Sequence, residues 1–119
     1  MHKHSKPHKL LSAKEIADTL KMPGPKTSHL SFHIKESTDQ ENSRLGLAIP
    51  KKKARRAIDR NRIKRLIREN FRKTSVLPIS DVVVKLNRAI GSQTRGRLRE
   101  KERVFIRKQI QLHFDINLE

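Results

Sequence analysis

The stretch from Ala57 to Thr74 reads AIDRNRIKRLIRENFRKT and contains neither proline nor glycine, so nothing in it interrupts a helix. At about 100° per residue, Ile63, Leu66, Ile67 and Phe71 fall on one side of that helix. Asn61, Lys64, Arg65, Arg68 and Arg72 fall on the other, at i, i+3, i+4, i+7 and i+11. A helix with these two faces constrains the fold. Its apolar side has to pack on a sheet or another helix, and its basic side has to stay open.

The basic run Lys51 to Arg56 leads directly into this helix. Between Lys51 and Thr74 twelve lysines and arginines stand against Asp59 and Glu69, a net of +10 out of the chain's +17. Like charges one turn apart cost a few tenths of a kcal/mol per pair in an isolated helix. Ordinary solvated faces interleave both signs. An uninterrupted cationic stripe therefore reads as a surface for a polyanion.

At 119 residues the chain is most simply one domain, and its 34% apolar content with four Phe and no Trp or Tyr implies a small aliphatic core. A sequence pI near 11.2 suits a nucleic-acid binder, because Lys and Arg gain affinity by releasing counterions from phosphates. A membrane partner is disfavoured, since no long apolar span is present and no helix pairs a basic face with bulky exposed aromatics. The chain has no Cys, which removes disulfides and thiolate chemistry and agrees with a reducing cytoplasm. The start, MHKHSKPHK, has no apolar stretch of signal-peptide length.

Residues 1–9 read as a basic arm. Its His2, His4 and His8 have no Cys or carboxylate beside them and are taken as polar rather than as metal ligands. Residues 10–119 form the domain. Ser12 and Glu15 make a capping box for a short helix that ends before Pro23-Gly24-Pro25, with Ile16 and Leu20 as its apolar edge. His29 to Lys35 alternates, with Leu30, Phe32 and Ile34 inward and His29 and His33 on the polar, outward face. After the polar turn ESTDQENS, Arg44 to Pro50 alternates again, and an antiparallel hairpin of these two strands is the simplest pairing. Asp81 to Arg88, with Val82, Val83, Val84 and Leu86, reads as an interior strand covered on both faces and parallel to an earlier one. A last helix from about Arg97 to Ile116 presents Leu98, Phe105, Leu112 and Ile116 along one edge, with Ile106 and Ile110 beside it.

The fold class is therefore α+β, a single domain with a small sheet, a basic crossover helix and a C-terminal helix packed on the sheet. No hydroxyl or thiol stands with a His and an acid, and no glycine-rich phosphate loop is present, so the residues point to binding rather than turnover. Asp39, Glu41, Asp59 and Glu69 read as solubilising or ion-paired acids rather than metal ligands, and nothing suggests a small-molecule substrate.

Residues Arg60 to Arg72, RNRIKRLIRENFR, together with the preceding RLGLAIPKKKARRA, resemble the signature region of the bacterial ribonuclease P protein component. The resemblance covers essentially the whole chain from Leu10. It implies the order α-β-β-(β)-α-β-α, with a sheet of three to four strands whose extra strand is a short piece beside the basic run. It implies a protein subunit of an endoribonuclease whose catalytic RNA subunit carries the chemistry, with a divalent metal, Mg, held mainly by that RNA. The substrate would be precursor tRNA, whose 5′ leader is removed in the cytoplasm. Carried over by position, Lys51, Lys52, Lys53, Arg55, Arg56, Arg60, Asn61, Arg62, Lys64, Arg65, Arg68 and Arg72 would meet RNA. A leader-binding cleft would involve Ile16, Leu20, Phe32 and His33, although the family's aromatics are missing at the first-helix positions, which reduces the share of base stacking. Two other classes compete: a general RNA-binding or ribosome-associated protein, and a DNA binder inserting the helix in a major groove. The latter lacks a helix-turn-helix pair.

Overall fold

The computed structural model describes residues 11–36, 43–73 and 80–118, so the basic arm, most of the polar turn and the segment after the long helix lie outside the described residues. Six elements follow in order: α1 (Ala13–Leu20), β1 (Leu30–Glu36), β2 (Arg44–Ala48), α2 (Ala57–Lys73), β3 (Ser80–Leu86) and α3 (Glu100–Leu118). The capping box of α1 is formed: Ser12 N–H donates to Glu15 Oε1 at 2.8 Å and Glu15 N–H to Ser12 Oγ at 3.2 Å.

The valine run of β3 explains the sheet. Val82, Val83, Val84 and Leu86 are at most 2% exposed, so the strand needs partners on both edges and cover on both faces. The sheet order is β1-β3-β2, antiparallel between β1 and β3 and parallel between β2 and β3. The expected parallel pairing is present, but the hairpin of β1 with β2 is not: β3 inserts between them. Local economy favours a hairpin, whereas an edge strand of consecutive valines would leave apolar surface and unpaired backbone in water. Among the described residues the sheet has three strands. The basic run forms a turn in which the N–H groups of Lys53 and Ala54 both donate to Pro50 O, not a fourth strand. The extra pairing is a single bridge between Lys26 and Ser31.

Pairing register sorts the side chains. Phe32 lies opposite Val84, and Leu47 opposite the same residue, so Leu30, Phe32, Val82, Val84, Leu86, Leu45 and Leu47 share one face. Onto it pack Ile63, Ile67 and Phe71 of α2 and Ile106, Ile110 and Phe114 of α3. Phe114 sits edge-on to both Phe32 and Phe71, at 6.2 and 6.1 Å between centroids, and His113 stacks on Phe32 at 3.8 Å. The opposite face is covered by α1. A Cβ placed on Gly46 would lie 2.7 Å from Ile16 Cγ1 and 3.2 Å from Leu11 Cδ1, so glycine there is what lets α1 approach.

The buried face of α3 differs from the expected edge. Phe105 and Leu112 are 50% and 60% exposed, while Ile106, Gln109, Ile110, His113 and Phe114 are buried. The face includes two polar residues because β1 and the segment before it supply their partners. Gln109 Oε1 accepts from His29 N–H and from the Thr27 hydroxyl, and Gln109 Nε2 donates to Ser28 Oγ and to the His29 ring. His29 is accordingly interior rather than outward-facing, with Nε2 donating to Glu102 Oε2 at 3.2 Å.

Two stability predictions follow from this packing. Phe71→Ala should cost about 2 to 5 kcal/mol in urea unfolding, whereas Arg68→Ala on the opposite face of α2 should change stability by less than about 0.5 kcal/mol. Burial holds the His113 imidazole down at about 4. Between that value and the unfolded pKa of about 6.5 the unfolded chain binds a proton that the folded chain does not, so stability falls as pH drops through this window. The loss approaches about 3 kcal/mol by the lower end, and urea midpoints of His113→Phe should lack this portion of the pH dependence.

Candidate nucleic-acid interface

The start of α2 is fixed by groups that sequence alone would have assigned to the surface. Arg56 O accepts from the N–H groups of Asp59 and Arg60, opening the helix. Asp59 is 2% exposed, and its Oδ2 accepts from Leu98 N–H at 3.0 Å. The expectation of a solubilising or ion-paired acid is corrected here: Asp59 ties the first turn of α2 to the segment entering α3. Arg60 is also committed, its Nη1 donating to Ala54 O at 2.9 Å and Arg55 O at 3.0 Å. Of the Arg60-Asn61-Arg62 triplet, the first residue clamps the basic run to the helix and the next two project outward.

With the helix anchored, its polar side is open. Asn61, Arg62, Arg65, Arg68 and Arg72 are exposed and Lys64 is half-buried. Lys51, Lys52, Arg55 and Arg56 are exposed in the preceding run, and Lys53 is half-buried. Among the described residues none of Arg62, Lys64, Arg65, Arg68 and Arg72 is in an ion pair. Along one flank a groove of about 550 Å³ separates α2 from α3, with Arg62, Arg65 and Lys73 facing Arg103 and Arg107. Glu100 stands on its rim. Hydrogen bonds from Arg103 hold its carboxyl below the usual carboxylate range, and the charges of Arg103, Arg107 and Arg62 add to the effect. Glu69 lines the groove as well, and the cations Arg62, Arg65, Lys73, Arg103 and Arg107 still outnumber these two acids.

The α1 side of the sheet is the second candidate surface. Strand alternation places Ser31, His33 and Lys35 of β1, Asp81, Val83 and Lys85 of β3, and Arg44, Gly46 and Ala48 of β2 on this face. Ile16 is half-buried against Gly46, and Leu20 is half-buried as well. His33 Nδ1 donates to Met22 O at 2.7 Å, so Nε2 accepts from the Ser31 hydroxyl at 2.9 Å. Phe32 does not belong to this surface. It is fully buried on the opposite face beneath His113, which corrects its assignment to a leader cleft. A strand turns alternate residues to opposite faces, so Phe32 and His33 could never have shared one site. With Arg44, Lys35 and Lys85 are the cations that the same alternation brings to this face.

Arg44 was not singled out from sequence, yet it positions that surface. Its Nε and Nη2 donate to the two carboxylate oxygens of Asp81 at 2.9 and 2.8 Å, and Nη1 donates to Glu15 Oε2 at 2.8 Å. One guanidinium thereby joins β2, β3 and α1. The bidentate bond to Asp81 is the largest cause raising the Arg44 pKa, and the Ser12 backbone and side-chain hydrogen bonds lower that of Glu15.

An α+β sheet domain carrying an anchored helix with an exposed cationic stripe defines a small basic protein with a surface suited to a polyanion. A family model described as Ribonuclease P matches residues 5–109. The ribonuclease P protein component of Halorhodospira halophila is 39% identical over 85 residues, 70% of each chain. That of Thioalkalivibrio sulfidiphilus is 51% identical over 63 residues, 51% of this chain and 52% of the relative. The matched stretches thus span between about half and 70% of the length of these two relatives. Solved structures share the fold, among them two RNase P proteins. The RNase P protein of Staphylococcus aureus has a TM-score of 0.66 at 23% identity, covering 95% of this chain and 94% of that one. The RNase P protein from Thermotoga maritima has a TM-score of 0.68 at 20% identity, covering 92% and 97%. The chain belongs to the ribonuclease P protein family. The comparisons do not favour a general RNA-binding or ribosome-associated protein. Among the described residues no helix is long and apolar enough to cross a membrane.

Replacing Arg65 or Arg68 with Ala should weaken binding to structured RNA and reduce the salt slope of log K by about 0.7 to 0.9 per lost phosphate contact, as read by filter binding over a salt series. Asp59→Ala acts differently. It strands the buried Leu98 N–H and should cost about 1 to 3 kcal/mol of stability in chemical denaturation.

Proposed function

We propose that the chain is the protein subunit of ribonuclease P, assisting metal-dependent endonucleolytic removal of the 5′ leader from precursor tRNA in the cytoplasm. It binds the catalytic RNA subunit through the outer side of α2 and the basic run before it, with Lys51, Lys52, Lys53, Arg55, Arg56, Asn61, Arg62, Lys64, Arg65, Arg68 and Arg72 as the contact set. The observation that carries this reading is the division of α2. Ile63, Ile67 and Phe71 are fully buried, while Asn61, Arg62, Arg65, Arg68 and Arg72 stand exposed on the other side.

Each group has a physical task. The arginines offer planar forks that match phosphate oxygens bidentately. Asn61, neutral within the stripe, can both donate and accept beside a phosphate or a metal's water shell. Arg60 contributes indirectly, by holding the backbone at Ala54 and Arg55 so that the run continues the helix stripe. The leader of the substrate lies against the α1 side of the sheet, where Lys35, Lys85 and His33 replace the stacking aromatics of the family and Ile16 and Leu20 form an apolar wall.

The divalent ion, Mg, belongs to the RNA partner. Among the described residues no three His, Asp or Glu side chains come together as a metal site. Its contribution to metal-dependent cleavage is to neutralise RNA phosphates, which lowers the ion concentration that the folded RNA requires.

Reconstitution tests the proposal. Precursor tRNA should be cut at low magnesium only when the protein and a bacterial ribonuclease P RNA are both present, and the protein alone should be inactive. Cleavage by the protein alone, or no stimulation of the RNA, would overturn it.

A further inference from the structure

The connection from β3 to α3 has a built shape. Gly91, Arg95 and Gly96 have φ values of 68°, 56° and 84°, a left-handed conformation that glycine adopts freely and arginine rarely. A Cβ on Gly91 would lie 2.5 Å from Arg97 N, so the loop folds back on itself there. Three hydrogen bonds hold it to the rest of the molecule. Ile90 N–H donates to Lys53 O at 2.8 Å, Gly91 N–H to Glu102 Oε1 at 2.8 Å, and Leu98 N–H to Asp59 Oδ2 at 3.0 Å.

The loop and the basic run enclose a hollow of about 500 Å³, walled by Lys52, Lys53 and Arg55 on one side and Gly91, Arg95 and Gly96 on the other. No carboxylate lines it. The nearby acids, Asp59 and Glu102, are spent on backbone N–H groups that hold the loop in place. Among the described residues none of the four cations is in an ion pair. A cation has no ligand here and a base has no aromatic to stack on, whereas a compact anion meets donors from two walls. The strained Arg95 fits this purpose, because a left-handed arginine persists only where the surroundings hold it.

We propose that this hollow is a phosphate-binding site that holds one backbone phosphate of a folded RNA, with Arg95 and Lys52 reaching it from opposite walls. The site extends the α2 stripe round the helix start and onto a loop remote in sequence, so that one RNA path crosses both. This inference rests on the RNA-binding reading above and is separable from it.

The test uses the full chain and a bacterial ribonuclease P RNA, with binding measured across a salt series. Arg95→Asn removes the cation while keeping a residue that tolerates the left-handed backbone, and Lys52→Gln changes the exposed opposite wall. Each should weaken binding about five- to tenfold and lower the salt slope by about 0.7 to 0.9, and the double variant should lose less than the product of the two. Titration with inorganic phosphate should shift the amide resonances of Gly91 and Gly96 saturably, and Arg95→Asn should abolish the shift. Wild-type affinity and slope in Arg95→Asn, with Arg65→Ala weakened, would overturn the hollow and leave the RNA reading intact. Unchanged binding in all three would overturn both. Phosphate shifts spread along α2 and absent from the loop would also sink the site. Should Arg95→Asn melt at a much lower temperature, Arg95→Gly, which removes the cation and adopts the left-handed backbone freely, carries the test.

Discussion

β3 is paired along both edges and covered on both faces, and this constraint organises the molecule. Its parallel pairing with β2 requires the chain to leave the sheet, travel back and re-enter, and α2 is the element that makes the return. Because α2 crosses the face carrying Val82, Val84 and Leu86, its own Ile63, Ile67 and Phe71 are drawn inward. The cations then have no direction left except outward. The functional stripe is therefore a by-product of how the sheet is closed, and its orientation is as rigid as the core beneath it.

Polar groups set the remaining geometry, and most are acids or amides used inside the fold. Asp59 and Arg60 fix the entry of α2, Glu102 and Gln109 dock α3 on the start of β1, and Arg44 joins α1 to two strands through Asp81 and Glu15. An interior carboxylate paired with a bidentate arginine contributes little net stability by itself, but removing either partner would strand the other. Their value in this fold is placement.

Much of this was legible in the sequence, for reasons that can be named. The faces of α2, the capping box of α1 and the interior character of β3 are local patterns, and each appears in the structure. Sheet order is not local. The hairpin of β1 and β2 failed because nothing along those strands announces that β3 will separate them. The buried face of α3 was misjudged because hydrophobicity alone selected Phe105 and Leu112 over Gln109 and His113, whose partners lie on β1 and the segment before it. Phe32 entered the cleft through family likeness, although the alternation of β1 already turns it inward, away from His33. Arg44 went unnoticed, since an arginine in a chain so rich in them carries no mark of its own until its two carboxylate partners are located. The proposed RNA-contact positions along α2 came from the cationic stripe and family likeness, and geometry then separated Arg60 from its neighbours.

The inward use of acids also has a kinetic side. Glu15, Asp59, Asp81 and Glu102 are each hydrogen-bonded to backbone or to Arg44, away from the outer side of α2. On α2 itself the exposed Glu69 opposes the field in front of the helix, which reaches a distance set by the surrounding ions, about 8 Å at physiological ionic strength. A polyanion diffusing past would be turned and drawn in before any contact forms, so that encounter is faster and already oriented. Through this arrangement the fold governs how quickly a partner arrives as well as how firmly it is held.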